Sequence, residues 1–240
     1  MLFRSAINNI FVEEKKEIIF DRKLCEKKIE KPHIRDRICP NKMDTLFWCV
    51  FIAVYGYDEY NTISNHFSNR EMEERQKMMD FLKKKPSLIK NSNVKITKVA
   101  FQEMLTDLMI NKKVTLSILI LFCIYYNITI FVVIDDIYME FSVNNGENNI
   151  SDKEIHIIHK NTKRDYEIDL NPTKEKLDFI FSNYIKIENA VKPLKGISNY
   201  TSNELKELLS KINKTEAKTD LKTKTDIYNY ICEYCAKKIL

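Results

Sequence analysis

The hydrophobic pattern of this chain changes texture several times, and each texture predicts a different element. From Asp44 to Tyr57 the sequence reads DTLFWCVFIAVYGY, with almost every position apolar. Asp44 stands directly before the run, where its carboxylate can take up an N–H left free in a first helical turn, and Gly56 suits a helix end. A buried helix over 44–57 is therefore expected, and it is the segment around which the fold is organised. Residues 70–85, REMEERQKMMDFLKKK, are amphipathic, with acids early and lysines late to match the helix dipole, and Pro86 stops them. Residues 97–110, TKVAFQEMLTDLMI, predict a further helix, with Val99, Met104, Leu105, Leu108 and Met109 available to a core. Val114 to Ile134 is a run of 21 uncharged residues. Its length alone would permit a membrane span. Asn127 divides it, however, and ITIFVVI is β-branched and aromatic in the manner of a buried strand. A helix over 115–126, a turn and a strand over 128–134 are the favoured reading, and membrane contact is not expected.

Alternation of period two follows. Asp135-Asp136 turns the chain into a second strand, IYMEFSV, and Asn144 to Asn149, with Gly146, makes a polar loop. EIHIIHK and RDYEIDL predict a hairpin. Ile18–Phe20 forms a further short strand by the same reading, and residues 173–185 form a helix. The expected class is α+β, with a mainly antiparallel sheet and helices packed against it. Three regions result: an irregular arm over 1–43, a main domain over 44–192, and a small helical module over 197–240, after the VKPLKG turn at Pro193 and Gly196.

Composition sharpens this picture only in places. An apolar content of 44% over 240 residues supports a sizeable core. The net charge of +5 permits contact with nucleic acid without demanding it. The chain has 32 Lys and 22 Asn against 3 Gly. Such usage follows A/T-rich codons, so the lysine count by itself is set aside. Six cysteines in so apolar a chain need no disulfide framework, and MLFRSAINNIFVEEKK lacks a secretory apolar core, so a reducing compartment is expected. Three scattered glycines build no phosphate loop, and Cys232-x-x-Cys235 lacks the second pair a zinc site needs, so neither a cofactor nor a metal is expected.

Cys49 is the one cysteine placed for chemistry. A thiol near a helix N-terminus has its thiolate favoured by the dipole and by free N–H groups. Papain-like and OTU-like cysteine peptidases use that arrangement, with a histidine base on a later strand. The order here is similar: Cys49 on a helix, a helix–strand pair, then His156 and His159. Those two are three residues apart and face opposite sides of a strand, so at most one can serve. Asp44 or Asn41 are candidates for an oxyanion site, and Asp152 or Asp165 for orienting the histidine. Counting from the Asp44 cap, Cys49 falls in the second turn, at helical spacing with Leu46, Val50 and Ala53. A buried core thiol is thus the favoured reading of the residue itself.

The C-terminal stretch ISNYTSNELKELLSKINKTEAKTDLKTKTDIYNYICEYC resembles the SAP motif, a pair of short helices. The resemblance implies a small core of Leu205, Leu208, Leu209, Ile212, Ile227 and Ile231. It also implies DNA or protein binding through helix N-termini and lysines, here Lys218, Lys222 and Lys224. Three further stretches, D-x-LFWC at Asp44, YYNITIFVV and KTKTDIY, together resemble uncharacterised proteins of large nucleocytoplasmic DNA viruses. That resemblance implies a late viral protein, in the virion or in a virus factory of the host cytoplasm, with DNA or capsid proteins as partners. The leading expectation is a cysteine-peptidase-like main domain, active or inactive, with a SAP-like tail. The alternatives are a non-catalytic capsid-associated protein and a DNA-binding scaffold.

Overall fold

The computed structural model describes residues 37–143, 154–161, 163, 165–212, 221 and 223–239. The strand expected at Ile18–Phe20, the loop at 144–149, Asp152, Lys218 and Lys222 lie outside the described residues. The described residues belong to one compact unit.

The first helix among the described residues, α1 (Thr45–Tyr55), begins and ends where its punctuation demands. The Asp44 carboxylate accepts the Phe47 N–H at 3.1 Å, and Gly56 takes φ 87° beyond the last turn. Residues 45 to 52 are all buried, so this helix is enclosed on every side. A short helix, α2 (Tyr57–Thr62), follows, then the amphipathic α3 (Phe67–Lys84), which buries Met78 and Leu82. Pro86 opens a 3-10 turn (Pro86–Asn91) instead of continuing α3. Thr97 caps α4 (Lys98–Ile110) by accepting the Ala100 N–H.

The uncharged run is a helix, a turn and a strand, as its division at Asn127 predicts. Helix α5 (Leu119–Tyr126) ends on Asn127 in the left-handed conformation, φ 55°, which its short amide side chain tolerates. Among the described residues no helix is long and apolar enough to cross a membrane.

Among the described residues six strands form one sheet: β1 (Arg37–Ile38), β2 (Thr129–Ile134), β3 (Ile137–Phe141), β4 (Ile155–Lys160), β5 (Tyr166–Asp169) and β6 (Ile185–Lys186), in the order β1-β5-β4-β2-β3-β6. The class is α+β. The sheet is mixed, where a mainly antiparallel one was expected. β2–β3 and β4–β5 are the antiparallel hairpins predicted, but β4 lies beside β2 and parallel to it, with Ile130 opposite His156 and Val133 opposite His159. The chain between β3 and β4 is long enough to carry β4 past β2, and that exchange of neighbours creates the parallel pair. β6 adds a second parallel pair, on β3. β1 arises within the segment read as an irregular arm and pairs antiparallel with β5.

The two faces of the sheet are unequal. Ile130, Val132, Ile134, Met139, Ile158 and Ile168 face the main core beneath α1, α3, α4 and α5. Phe131, Val133, Tyr138 and Ile157 face a smaller cluster with Ile180 of α6 (Lys174–Asn183). Two final helices, α7 (Ser202–Ile212) and α8 (Lys224–Ile239), make the C-terminal hairpin. Leu205, Ile212, Ile227 and Ile231 are buried, and they belong to the main core.

Candidate functional site

Asp44 is the centre of a buried polar knot. Besides capping α1, its carboxylate accepts the Val114 N–H at 2.6 Å and an Arg75 N–H at 2.7 Å. Arg75, on α3, also donates to Glu71 and to the carbonyls of Leu108 and Asn111. The knot therefore ties together the start of α1, the middle of α3, the end of α4 and the segment leading to α5. Burial pushes the Asp44 carboxyl up, against the pull of Phe47, Val114 and Arg75. A carboxylate so committed accepts bonds and supplies no donor for an oxyanion. Asn41, the other candidate, donates its backbone N–H to Tyr60 Oη.

One turn further on, Cys49 is 0% exposed. Burial drives its thiol well above the ordinary value, and Cys39, Glu167 and Asp44 push the same way. No histidine is among the groups acting on it. His159 shares its strand face with Ile157, which packs on the α6 side, whereas α1 covers the opposite face. Burial, with Arg37 and Lys176 nearby, lowers the His159 imidazole to about 3, so it stays neutral. His156 shares the main-core face with Ile158, but its Nε2 is buried without a hydrogen-bond partner and its nearest carboxylate is Glu154 at 3.8 Å. His159 thus faces away from Cys49, and His156 Nε2 makes no hydrogen bond to it. Asp165 bonds the Asn161 side chain through its backbone N–H.

The other thiols among the described residues behave alike. Cys39, Cys123, Cys232 and Cys235 are all free and all shifted upward, first of all by burial, with Cys235 at about 12. A catalytic or metal-binding thiol needs the opposite shift. Among the described residues no group of acids, histidines and cysteines is arranged to hold a metal ion.

A second buried acid escaped sequence reasoning. Glu74 is 1% exposed and accepts from Tyr55 Oη at 3.0 Å, Tyr126 Oη at 2.9 Å and Lys77 Nζ at 3.0 Å. Burial raises its carboxyl, but these bonds outweigh burial and leave it below the usual range. Its position in an acid-rich helix gave no sign of burial; the signal was the pair of tyrosines closing α1 and α5.

In the C-terminal hairpin both helices open with reciprocal caps. Glu204 N–H bonds Thr201 Oγ1 while Thr201 N–H bonds the Glu204 carboxylate, and Thr223 and Asp226 repeat the pattern. The two helix N-termini that would meet phosphate in a SAP-like arrangement therefore already hold carboxylates of their own. Lys224, half-buried, sits close enough to Glu204 to lower its carboxyl, after the larger effects of Thr201. No family model matches the chain, and no match is found among curated proteins or solved structures.

Proposed function

We propose that this chain is a non-catalytic scaffold protein of a large DNA virus, an α+β platform that holds DNA in the virus factory or virion. The observation that carries the non-catalytic part is Cys49: fully buried, shifted away from the thiolate, and without a histidine partner. A peptidase nucleophile needs an exposed, readily ionised sulfur with a base in reach. The element order that resembles a papain-like enzyme then serves packing, with Cys49 filling the core between Leu46 and Val50. The viral resemblance and the net charge of +5 support the DNA association in this reading.

The test is thiol labelling of the native chain with iodoacetamide, followed by mass mapping. Cys39, the exposed thiol among the described residues, is expected to label in the native chain. Cys49 is expected to label only after denaturation. Fast native labelling of Cys49, with peptidase activity lost in Cys49→Ala, would overturn the reading.

A further inference from the structure

The positive charge of this chain is gathered in one place. Between Phe81 and Gln102 there are six lysines, Lys83, Lys84, Lys85, Lys90, Lys95 and Lys98, and no Asp or Glu. The other 33 basic and 34 acidic residues nearly cancel, so this segment carries the whole net charge of +5. A/T-rich codons raise lysine throughout a chain, but they do not remove acids from one stretch of it.

The structure makes the stretch a surface. All six lysines are exposed, and none forms an ion pair among the described residues. Leu88, Ile89, Val94 and Ile96, which alternate with them, pack inward against the main core. The backbone is pinned as well: Asn93 N–H bonds Ser142 O at 2.9 Å, its side chain bonds Glu140 O at 2.8 Å, and Ser92 bridges Val143. Arg75 holds the far end of α4 at the middle of α3, and the lysine-bearing ends of those two helices flank this one connection. Lys83 and Lys84 suit the C-terminal end of α3. Lys98 does not suit its place, because it opens α4, where the dipole repels a cation and no acid stands in the first turn to offset it.

We propose that this lysine ridge, residues 83–98, is a docking surface for the phosphate backbone of duplex DNA. The inference rests on the scaffold reading above and assigns its DNA contact to the ridge in place of the hairpin. Lysine without arginine gives point-charge contacts to phosphate and not bidentate base readout, so the contact is independent of sequence. The ridge exposes no aromatic ring for stacking unpaired bases; Phe81 is half-buried against Tyr125 and lies under Lys85. Insertion into a membrane interface would need an apolar face among the lysines, and Val99 is the lone large exposed apolar side chain there.

Fluorescence anisotropy of the full chain against a mixed-sequence 24-base-pair DNA duplex, across a salt series, tests this. The triple variant Lys90→Gln/Lys95→Gln/Lys98→Gln is expected to bind more weakly and to lower the slope of log K against log salt by about 3, close to one for each phosphate no longer neutralised. Arginine at the same three positions is expected to restore binding, which separates charge from misfolding. The hairpin variant Lys218→Gln/Lys222→Gln/Lys224→Gln is expected to bind as the wild type does. Loss in the hairpin variant alone would overturn the ridge and keep DNA binding. Absence of duplex binding at low salt, or tighter binding to the single strand or to phosphatidylserine vesicles, would overturn it too. A native-reactive Cys49 beside an intact ridge would sink the non-catalytic reading and leave this one standing.

Discussion

Arg75 shows how much one side chain can hold. Its guanidinium neutralises Asp44 and bonds the Leu108 carbonyl out of water, and caps the half-buried Asn111 carbonyl beyond α4. Removing one partner of a buried pair leaves the other charge uncompensated, which costs about 3–5 kcal/mol. Arg75→Ala is therefore expected to lower urea-unfolding stability by that order, measured as a fall in midpoint at constant slope. A loss under about 1 kcal/mol, the value of an exposed pair, would show that water reaches the knot. His159 makes a different prediction. Its folded value of about 3 lies below the 6.5 of an unfolded histidine. The unfolded chain therefore takes up the proton first as pH falls, so stability present above 6.5 drains away on acidification, at no more than about 1.4 kcal/mol per pH unit. His156 is shifted the same way. Between pH 6.5 and 5, above the carboxylate range, His159→Gln is expected to flatten the decline. An unchanged slope would mean that His159 is protonated in the fold.

Among the elements, α1 was legible almost to the residue because both of its ends are punctuated. Asp44 supplies an acceptor and Gly56 a positive φ. The order of the strands was not legible. Alternation reports that a segment is a strand and which residues share a face, and the two hairpins followed from short turns. Nothing in period two says that β4 passes β3 to lie on β2, because the choice is made by where the main-core faces of Ile130, Val132 and Ile158 meet. The same limit governed the candidate site. Sequence order placed a cysteine before two histidines, but only the pairing of strands decides that His159 looks toward α6 while Cys49 lies under the other face. Cap counting did foresee the burial of Cys49, since that argument is local. The buried charges of Arg75 and Glu74 were hidden for the converse reason: each needs partners 31 or more residues away, Asp44 for Arg75 and Tyr126 at 52 residues for Glu74.

At the scale of the molecule, the C-terminal hairpin is joined to the platform by burial as well as by chain. Lys211 Nζ bonds the carbonyls of Phe181 and Tyr184, Tyr234 Oη bonds Asp136 at 2.6 Å, and Lys160 Nζ bonds Ile239 O at 2.7 Å. Within the VKPLKG turn, Pro193 O accepts the N–H of Glu188 from the segment before it, and Leu194 is 1% exposed. Leu205, Ile212, Ile227, Ile231 and Cys235 lie in the same core as α1. At about 1.5–3 kcal/mol for each large aliphatic side chain, the four aliphatic ones alone contribute on the order of 6–12 kcal/mol. Part of that is internal to the hairpin, but half of it, about 3–6 kcal/mol, would still be a large share of the stability of a typical domain, about 5–15 kcal/mol. A chain ending at residue 196 is therefore expected to melt well below the full chain, or to aggregate, because the surface beneath α8 becomes exposed. A hairpin that served only as a tether would be removed without moving the melting temperature of the sheet domain, so an unchanged melt of the truncated chain would sink this account. The distinction bears on DNA as well: a loss of DNA binding on truncation would follow from unfolding alone, which is why point substitutions in the hairpin are the sounder comparison with the lysine ridge.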